Sequence, residues 1–132
     1  AIGLTQLMDF TASDIARKLK ISEYSLTNPE TNIQFGTYYL KNMISRLEND
    51  YLHGFFAYNA GITRVRRWLN TSILGFGKKS NMPSDLFLET LPYTETREYG
   101  RKLVTSSIMY KTLYSENPEQ DFEEIIKLLI EF

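Results

Sequence analysis

The strongest helix signal in the chain is NPETNIQFGTYYLKNMISRL, residues 28–47. Asn28 is a favoured N-cap, Pro29 suits the first helical position, and Glu30 places a carboxylate at the positive end of the helix dipole. Apolar and small residues then recur at alternating steps of three and four, which predicts a long helix with one buried stripe. The residues of that stripe are Ile33, Gly36, Leu40, Met43 and Leu47.

Helical spacing also begins near the first residue. Leu4, Leu7 and Met8 form an apolar cluster that we expect to be buried, and Asp9 can cap a helix that runs through Leu19. An apolar pattern at the start of a chain is unusual, because chain ends are normally polar and frayed.

Residues 51–69 predict two further helices. The first closes at Gly61, which can adopt the positive φ that ends a helix. In the second, Val65, Trp68 and Leu69 face inward, and we interpret the charged side chains as a solvated face. Those charges are Arg64, Arg66 and Arg67.

The second half of the chain predicts a loop and three helices. Residues 70–84 carry two glycines, one proline and no period, which is typical of a loop, and a loop of this length is a candidate rim for a site. A short helix follows from Asp85, a long helix capped by Thr94 comes next, and Asn117 starts the last one. The core-facing residues of the long helix are predicted to be Tyr99, Leu103, Ser106, Tyr110 and Leu113.

Composition excludes several classes of function. The 132 residues suit one domain with a real core, and 15 Lys and Arg against 16 Asp and Glu leave no broad cationic face for nucleic acid. No apolar run approaches the ~20 residues of a transmembrane segment. With no cysteine and one histidine, His53, we expect no metal site, and we interpret His53 as a surface or capping residue.

Four strings occur in a specific order: GLTQLM at 3–8, NPETNIQFGTYYL at 28–40, AYNAGITRVRRWL at 57–69 and LETLPYTETREYGRKL at 88–103. Together they resemble the soluble lytic transglycosylase family over about residues 1–114. The resemblance implies an all-α, lysozyme-like domain in residues 1–114. Residues 115–132 match nothing in the family pattern, and we expect them to form an added amphipathic helix packed on the same domain.

The resemblance also implies a reaction. Members of this family are lyases that cleave the bond between N-acetylmuramic acid and N-acetylglucosamine in peptidoglycan (murein) and leave a 1,6-anhydro sugar. The nucleophile is the substrate's own hydroxyl, so no metal or cofactor is implied. The implied partner is the glycan strand, and the implied location is the bacterial cell envelope or periplasm after export.

Five residues match family positions with a role at the glycan. Tyr58 is the expected catalytic helper, with its hydroxyl near the acid and the reacting sugar. Gln6 and Met8 are expected to contact the sugar as a hydrogen-bonding amide and an apolar wall. Glu89 matches a glutamate that faces the glycan. Asn59 belongs to the same motif as Tyr58, and we favour a role in fastening the turn between two helices over contact with substrate.

The chain departs from the family pattern at its start and at single residues; Asp9 and Ile62 each stand where the pattern has proline, and we expect both changes to be tolerated. The catalytic glutamate of the family precedes the GLTQLM string by about fifteen residues, which would place it, with the first helix, before Ala1. On this expectation the 132 residues alone are inactive. Thr5 replaces a methionine, and we expect it to alter apolar packing beside the groove. Glu95 and Arg97 match a further segment of the pattern, and we interpret them as a structural ion pair or cap.

Two other hypotheses remain open. The chain could be a non-catalytic peptidoglycan-binding module on the same fold, which would bind glycan without releasing anhydro sugars. It could also be a helical interaction domain unrelated to sugars, in which the nine Tyr and eight Phe serve the core and a partner surface.

Overall fold

The computed structural model describes residues 1–70 and 84–129. In these ranges the regular structure comprises seven helices and one isolated antiparallel bridge between Ile2 and Leu7. The predicted all-α class is therefore confirmed for this part of the chain, and the loop predicted at 70–84 falls, apart from its ends, outside it. The helices are α1 Asp9–Leu19, α2 Pro29–Ser45, α3 Tyr51–Ala60, α4 Ile62–Leu69, α5 Ser84–Thr90, α6 Thr94–Tyr114 and α7 Pro118–Leu129.

The chain divides into two compact units, residues 1–42 and 43–132. In the first unit, a buried asparagine, Asn32, joins α2 to the first turn of the chain. Its Oδ1 accepts from the backbone N–H of Thr5 at 2.8 Å, and its Nδ2 donates to the carbonyls of Ile2 and Leu26, each at 3.0 Å. The Thr5 hydroxyl donates to the same Oδ1 at 2.8 Å. Because every polar atom of the Asn32 side chain is bonded, its burial is compensated.

The first turn is not the buried apolar cluster that we predicted. Leu7 is buried, but Leu4 is 72% exposed and Met8 is 49% exposed. The prediction was wrong because residues 3–6 form a tight turn closed by the Ile2–Leu7 bridge, so spacings of three and four do not gather on one side. Helix α1 begins one residue earlier than predicted, since Met8 is its N-cap and Asp9 lies in its first turn.

Helix α2 begins where the sequence predicts. Pro29 is its first residue, and Asn28 Oδ1 accepts from the N–H of Thr31 at 3.0 Å, as an N-cap does. The predicted stripe is confirmed at Gly36, Met43 and Leu47, which are buried, while Leu40 is half-buried. It is wrong at Ile33, which is 48% exposed. Asn32 and Phe35 are buried in its place, because the hydrogen bonds of Asn32 set the inward face.

In the second unit, α6 packs very closely against α3 and α5 at Gly100. A Cβ added to Gly100 would lie 2.6 Å from Phe56 Cε1 and 2.7 Å from Leu88 Cδ1, closer than van der Waals contact allows. Phe56 and Leu88 are themselves buried. Glycine at position 100 is therefore the condition for the close approach of the three helices.

The ends and faces of the remaining helices differ from prediction in detail. Gly61 separates α3 from α4 with φ 88°, as expected. Tyr93, not Thr94, is the N-cap of α6. The predicted face of α6 is confirmed in part, since Tyr99 and Leu103 are half-buried. It is wrong at Ser106, Tyr110 and Leu113, which are exposed, because the buried positions of α6 lie toward its start, at Thr96 and Gly100. Of the predicted inward residues of α4, Val65 and Trp68 are buried and Leu69 is half-buried.

Helix α7 packs against α6. Asp121 accepts a hydrogen bond from the Ser115 hydroxyl and lies 3.7 Å from the Lys111 ammonium. Ile125 is buried, which gives α7 an apolar inner side. None of the helices within residues 1–70 and 84–129 is long and apolar enough to cross a membrane.

Burial along α2 predicts that truncation of two apolar residues of this helix will have different effects on stability. Met43 is 3% exposed, so Met43→Ala should lower the free energy of unfolding by about 2–5 kcal/mol. The exposed Ile33 is the matched control, and Ile33→Ala should change it by about 0.5 kcal/mol or less. Urea denaturation measures both, and equal losses at the two positions would contradict this assignment of the inward face.

The close approach at Gly100 predicts that alanine at this position will destabilise the protein, although alanine favours helices over glycine. Alanine normally stabilises a helix relative to glycine by about 1 kcal/mol. Gly100→Ala should instead destabilise the protein by about 1–3 kcal/mol, because the added methyl overlaps Phe56 and Leu88. The exposed Thr105 on the same helix supplies the control, where Thr105→Ala should be neutral or slightly stabilising. A more stable Gly100→Ala protein would show that α6 does not approach so closely.

Candidate functional site

Gln6 is held in an unusual backbone conformation. Its φ of 53° lies in the left-handed region, which is uncommon for a residue other than glycine. Its backbone N–H and its Nε2 both donate to the Gly3 carbonyl, at 3.2 and 2.7 Å. The turn is also held by Asn32, whose Oδ1 accepts from the backbone N–H of Thr5. The turn thus presents the side chain of Gln6 on the surface.

Thr5 supports this turn by a polar contact. Its hydroxyl bonds to Asn32, and Gly36 leaves room for it, since a Cβ on Gly36 would lie 2.4 Å from the Thr5 Cβ. The Thr5 side chain is thus a hydrogen-bonding anchor for the turn, and its effect on apolar packing beside the groove stays a prediction. Met8 follows the turn as an exposed apolar side chain, available to a ligand.

Tyr58 lies in the last turn of α3, with its ring parallel to that of Tyr99 on α6. The ring centroids are 6.4 Å apart and the planes differ by 9°. Burial raises the pKa of Tyr99 to about 12, and the neighbouring Tyr58 adds to that rise. Tyr58 itself is half-buried. The pair fixes the ring plane of Tyr58 while leaving part of the side chain accessible.

Asn59 joins α3 to the start of α6. Its Oδ1 accepts from the buried Thr96 hydroxyl at 2.8 Å, and its Nδ2 donates to Glu95 Oε1 at 3.3 Å. The predicted fastening role has a structural basis, but these bonds connect α3 with α6 and not the turn to α4. Substrate contact by Asn59 stays a prediction.

Glu89 is exposed at the end of α5 and paired with Arg101 of α6. Arg101 Nε donates to Glu89 Oε1 at 3.2 Å, and Arg101 Nη2 bonds to Glu89 Oε2. Arg101 Nη1 bonds to Glu98, one turn earlier on the same helix. Hydrogen bonding and charge attraction from Glu89, together with Glu98, raise the pKa of Arg101.

Three consecutive residues of α6 therefore organise the second unit. Tyr99 stacks on Tyr58, Gly100 admits α3 and α5, and Arg101 holds Glu89. Sequence reasoning missed Gly100 and Arg101. A glycine inside a helical pattern was the available signal for the first, because it often marks close packing. No local spacing rule links Arg101 to Glu89.

Glu95 and Arg97 do not form the predicted ion pair with each other in the contacts of the described residues. Glu95 bonds to Asn59, whereas Arg97 donates to the Leu91 carbonyl at 2.6 Å and to the Thr94 hydroxyl at 3.1 Å. Arg97 thus closes the α5–α6 turn, which is the capping alternative.

His53 packs between helices and is not a surface residue. Its ring meets the Phe87 ring edge-on with centroids 5.0 Å apart, and its Nδ1 lies 3.5 Å from an Asp50 carboxylate oxygen. Burial lowers the pKa of His53, opposed by the charges of Asp50 and Glu48. Across residues 1–70 and 84–129, no three acidic or histidine side chains are grouped so that they could hold a metal ion.

Comparison with known proteins identifies the family. The sequence profile described as "Transglycosylase SLT domain" matches residues 1–79. The chain is 34% identical over 122 residues to the soluble lytic murein transglycosylase of Escherichia coli K12, which covers 89% of the chain and 18% of that protein. It is 34% identical over 115 residues to the Salmonella typhimurium LT2 protein of the same name, covering 84% and 17%.

Solved structures agree with this result. The 70 kDa soluble lytic transglycosylase SLT70 of Escherichia coli superimposes with a TM-score of 0.76 at 34% identity, over 88% of the chain and 18% of that protein. An inactive glutamate-to-glutamine variant of the lytic transglycosylase Slt of Pseudomonas aeruginosa gives 0.71 at 36% identity, over 88% and 18%.

The fold is thus the all-α, lysozyme-like fold of lytic transglycosylases. The chain belongs to the transglycosylase SLT domain family, and the resemblance found in its sequence is confirmed. It spans about 18% of the length of the Escherichia coli relative.

The Tyr58–Tyr99 pair predicts one tyrosine that resists ionisation. At pH 11 a tyrosine with an ordinary pKa is about nine-tenths ionised. Tyr99, with a pKa of about 12, should remain mostly neutral. Because the folded chain holds this proton more tightly than the unfolded chain, Tyr99 also lowers stability as the pH rises above about 10.

The measurement is a pH titration of the tyrosine ring carbons by NMR, with the Tyr99 signal assigned from its loss in Tyr99→Phe. Tyr58→Phe should lower the pKa of Tyr99 toward its ordinary value, because one of the two causes is removed. An assigned Tyr99 signal that titrates near pH 10 would rule out the stacked, half-buried arrangement.

Proposed function

We propose that this chain is part of a peptidoglycan lytic transglycosylase, which cleaves the bond between N-acetylmuramic acid and N-acetylglucosamine and forms 1,6-anhydro-N-acetylmuramic acid. One observation carries the proposal: the predicted catalytic helper Tyr58 contacts Tyr99, and the predicted glycan ligand Glu89 contacts Arg101, two residues further along α6. Family membership and relatives named soluble lytic murein transglycosylases support it.

The reaction needs one carboxylic acid and the substrate's own nucleophile. The acid donates its proton to the glycosidic oxygen as the bond from that oxygen to the anomeric carbon breaks. The resulting carboxylate takes the proton of the muramoyl 6-hydroxyl, whose oxygen forms the new bond to the anomeric carbon. Because attack is intramolecular, neither an activated water nor a metal is required.

We propose that the acid is the glutamate that the family resemblance places before the GLTQLM string. An acid of this kind needs an apolar enclosure that keeps it protonated near neutral pH. Glu89 is exposed and ion-paired with Arg101, so it lacks that enclosure. The Pseudomonas aeruginosa relative is inactive as a glutamate-to-glutamine variant, which supports dependence on a single glutamate.

The remaining residues bind and orient the glycan. The hydroxyl of Tyr58 would hydrogen-bond the acid or the reacting sugar, with its ring plane set by Tyr99. Glu89 would accept hydrogen bonds from sugar hydroxyl and acetamido N–H groups, and Gln6 and Met8 would contact the sugar by an amide and an apolar surface. A substrate in the murein layer implies that the protein acts in the cell envelope after export.

Digestion of purified peptidoglycan with the intact protein tests the proposal. Mass spectrometry should find anhydromuropeptides, which lack the water that hydrolysis would add. Binding without such products would favour the non-catalytic glycan-binding module. Failure to bind muropeptides or chitooligosaccharides would contradict both and favour a helical interaction domain.

The assignment of Tyr58 predicts a specific loss of turnover. Tyr58→Phe in the intact enzyme removes one hydroxyl and no ring volume, so turnover should fall by about tenfold to a hundredfold with little change in melting temperature. Tyr51→Phe removes a hydroxyl from an exposed residue at the start of the same helix and should leave turnover unchanged. Equal turnover in wild type and Tyr58→Phe would remove Tyr58 from the site.

A further inference from the structure

We propose that Arg101 is a positioning residue for glycan binding: it orients the carboxylate of Glu89 toward the glycan and does not contact the glycan itself. The inference rests on the proposed function and deepens it. It names the residue that makes an otherwise exposed glutamate a defined ligand for the neutral hydroxyl and acetamido N–H groups of an N-acetylated sugar.

The geometry of the pair supports this role. Arg101 engages both carboxylate oxygens of Glu89, through Nε at 3.2 Å to Oε1 and through Nη2 to Oε2. A two-pronged contact of this kind fixes the plane of the carboxylate as well as its position. Glu98 takes the third nitrogen, Nη1, so the guanidinium is itself held from a second side.

Close packing of α6 on α5 lies next to the Arg101–Glu89 ion pair. Gly100, next to Arg101, lies against Leu88, next to Glu89, at a distance that leaves no room for a methyl group. The α6 backbone at Gly100 therefore packs directly on the Leu88 side chain, next to the two charged residues. Only the side-chain rotamers of Glu89 remain to be ordered, and Arg101 supplies that order.

Stability alone does not account for the pair. The side chains of Arg101 and Glu89 are 40% and 52% exposed, and ion pairs of this exposure contribute little to folding. Ordering a flexible side chain on binding, in contrast, weakens affinity by about threefold to tenfold. A glutamate that is ordered before binding avoids that loss. We therefore expect the Arg101–Glu89 pair to act on the affinity for the glycan and not on the stability of the fold.

A double-mutant cycle tests the proposal. The dissociation constant of a peptidoglycan tetrasaccharide, two repeats of N-acetylglucosamine and N-acetylmuramic acid, is measured by calorimetry on the intact protein. Arg101→Met should raise it by about threefold to tenfold in the wild-type background. In the Glu89→Ala background the same change should have no further effect, because Arg101 then has no carboxylate to orient.

An equal effect of Arg101→Met in both backgrounds would overturn the proposal, since it would mean that Arg101 binds the glycan directly, for example at a muramic acid carboxylate. No effect in either background would overturn it as well. Tight binding by wild type that is unchanged in Glu89→Ala would remove Glu89 from the site and the role of Arg101 with it. Absence of binding by wild type would contradict the proposed function itself.

Two further variants separate positioning from structure. Arg101→Lys keeps the charge but loses the fork, so it should restore only part of the affinity lost in Arg101→Met. Lys102→Met, the matched control, removes the exposed cation next to Arg101 on α6 and should leave the affinity nearly unchanged. In peptidoglycan digestion, Arg101→Met should raise KM with kcat unchanged, and its melting temperature should stay close to that of wild type. A fall in kcat or a large drop in melting temperature would contradict the positioning role.

Discussion

The contact of Gly100 with Phe56 and Leu88 is the constraint on which the arrangement of α3, α5 and α6 depends. A helix with any side chain at this position could not lie so close to α3 and α5. The close approach brings Tyr99 within stacking distance of Tyr58 and lets Arg101 reach Glu89. Two side chains with different chemistry, a phenol and a carboxylate, thereby depend on one steric condition.

The first unit, residues 1–42, depends on a polar contact. Asn32 is buried and bonds to Ile2, Thr5 and Leu26, so it fixes the turn that presents Gln6. A buried amide with all its partners in place is directional, whereas apolar packing alone would not define the backbone of so short a turn. Thr5 is part of this network, which explains why a small hydroxyl residue suits a position where the family pattern has methionine.

Much of the helical framework could be predicted from the sequence, because helix starts carry local signals. The Asn-Pro-Glu strings mark the starts of both α2 and α7, and Gly61 marks the break after α3. The inward faces were harder to predict. Ile33 and Tyr110 have the right spacing but lie exposed, because Asn32 and Gly100 set the rotation of their helices through contacts with residues distant in sequence.

The candidate site was predictable only as far as motifs extend. The family resemblance located Tyr58 and Glu89, yet nothing local indicated that both are supported by α6. The pairing of Glu89 with Arg101 joins residues on different helices, and helical periodicity contains no information about such a contact. The candidate site residues were therefore more predictable from the sequence than the contacts that position them.

The most direct test of the central claim is to map where a glycan binds. Backbone amide shifts of the isotopically labelled protein are followed by NMR while a peptidoglycan tetrasaccharide is added. The account predicts that the amides around Tyr58, Glu89 and residues 99–101 shift together with a single dissociation constant. Shifts that leave these residues unchanged and cluster on α7 would contradict it.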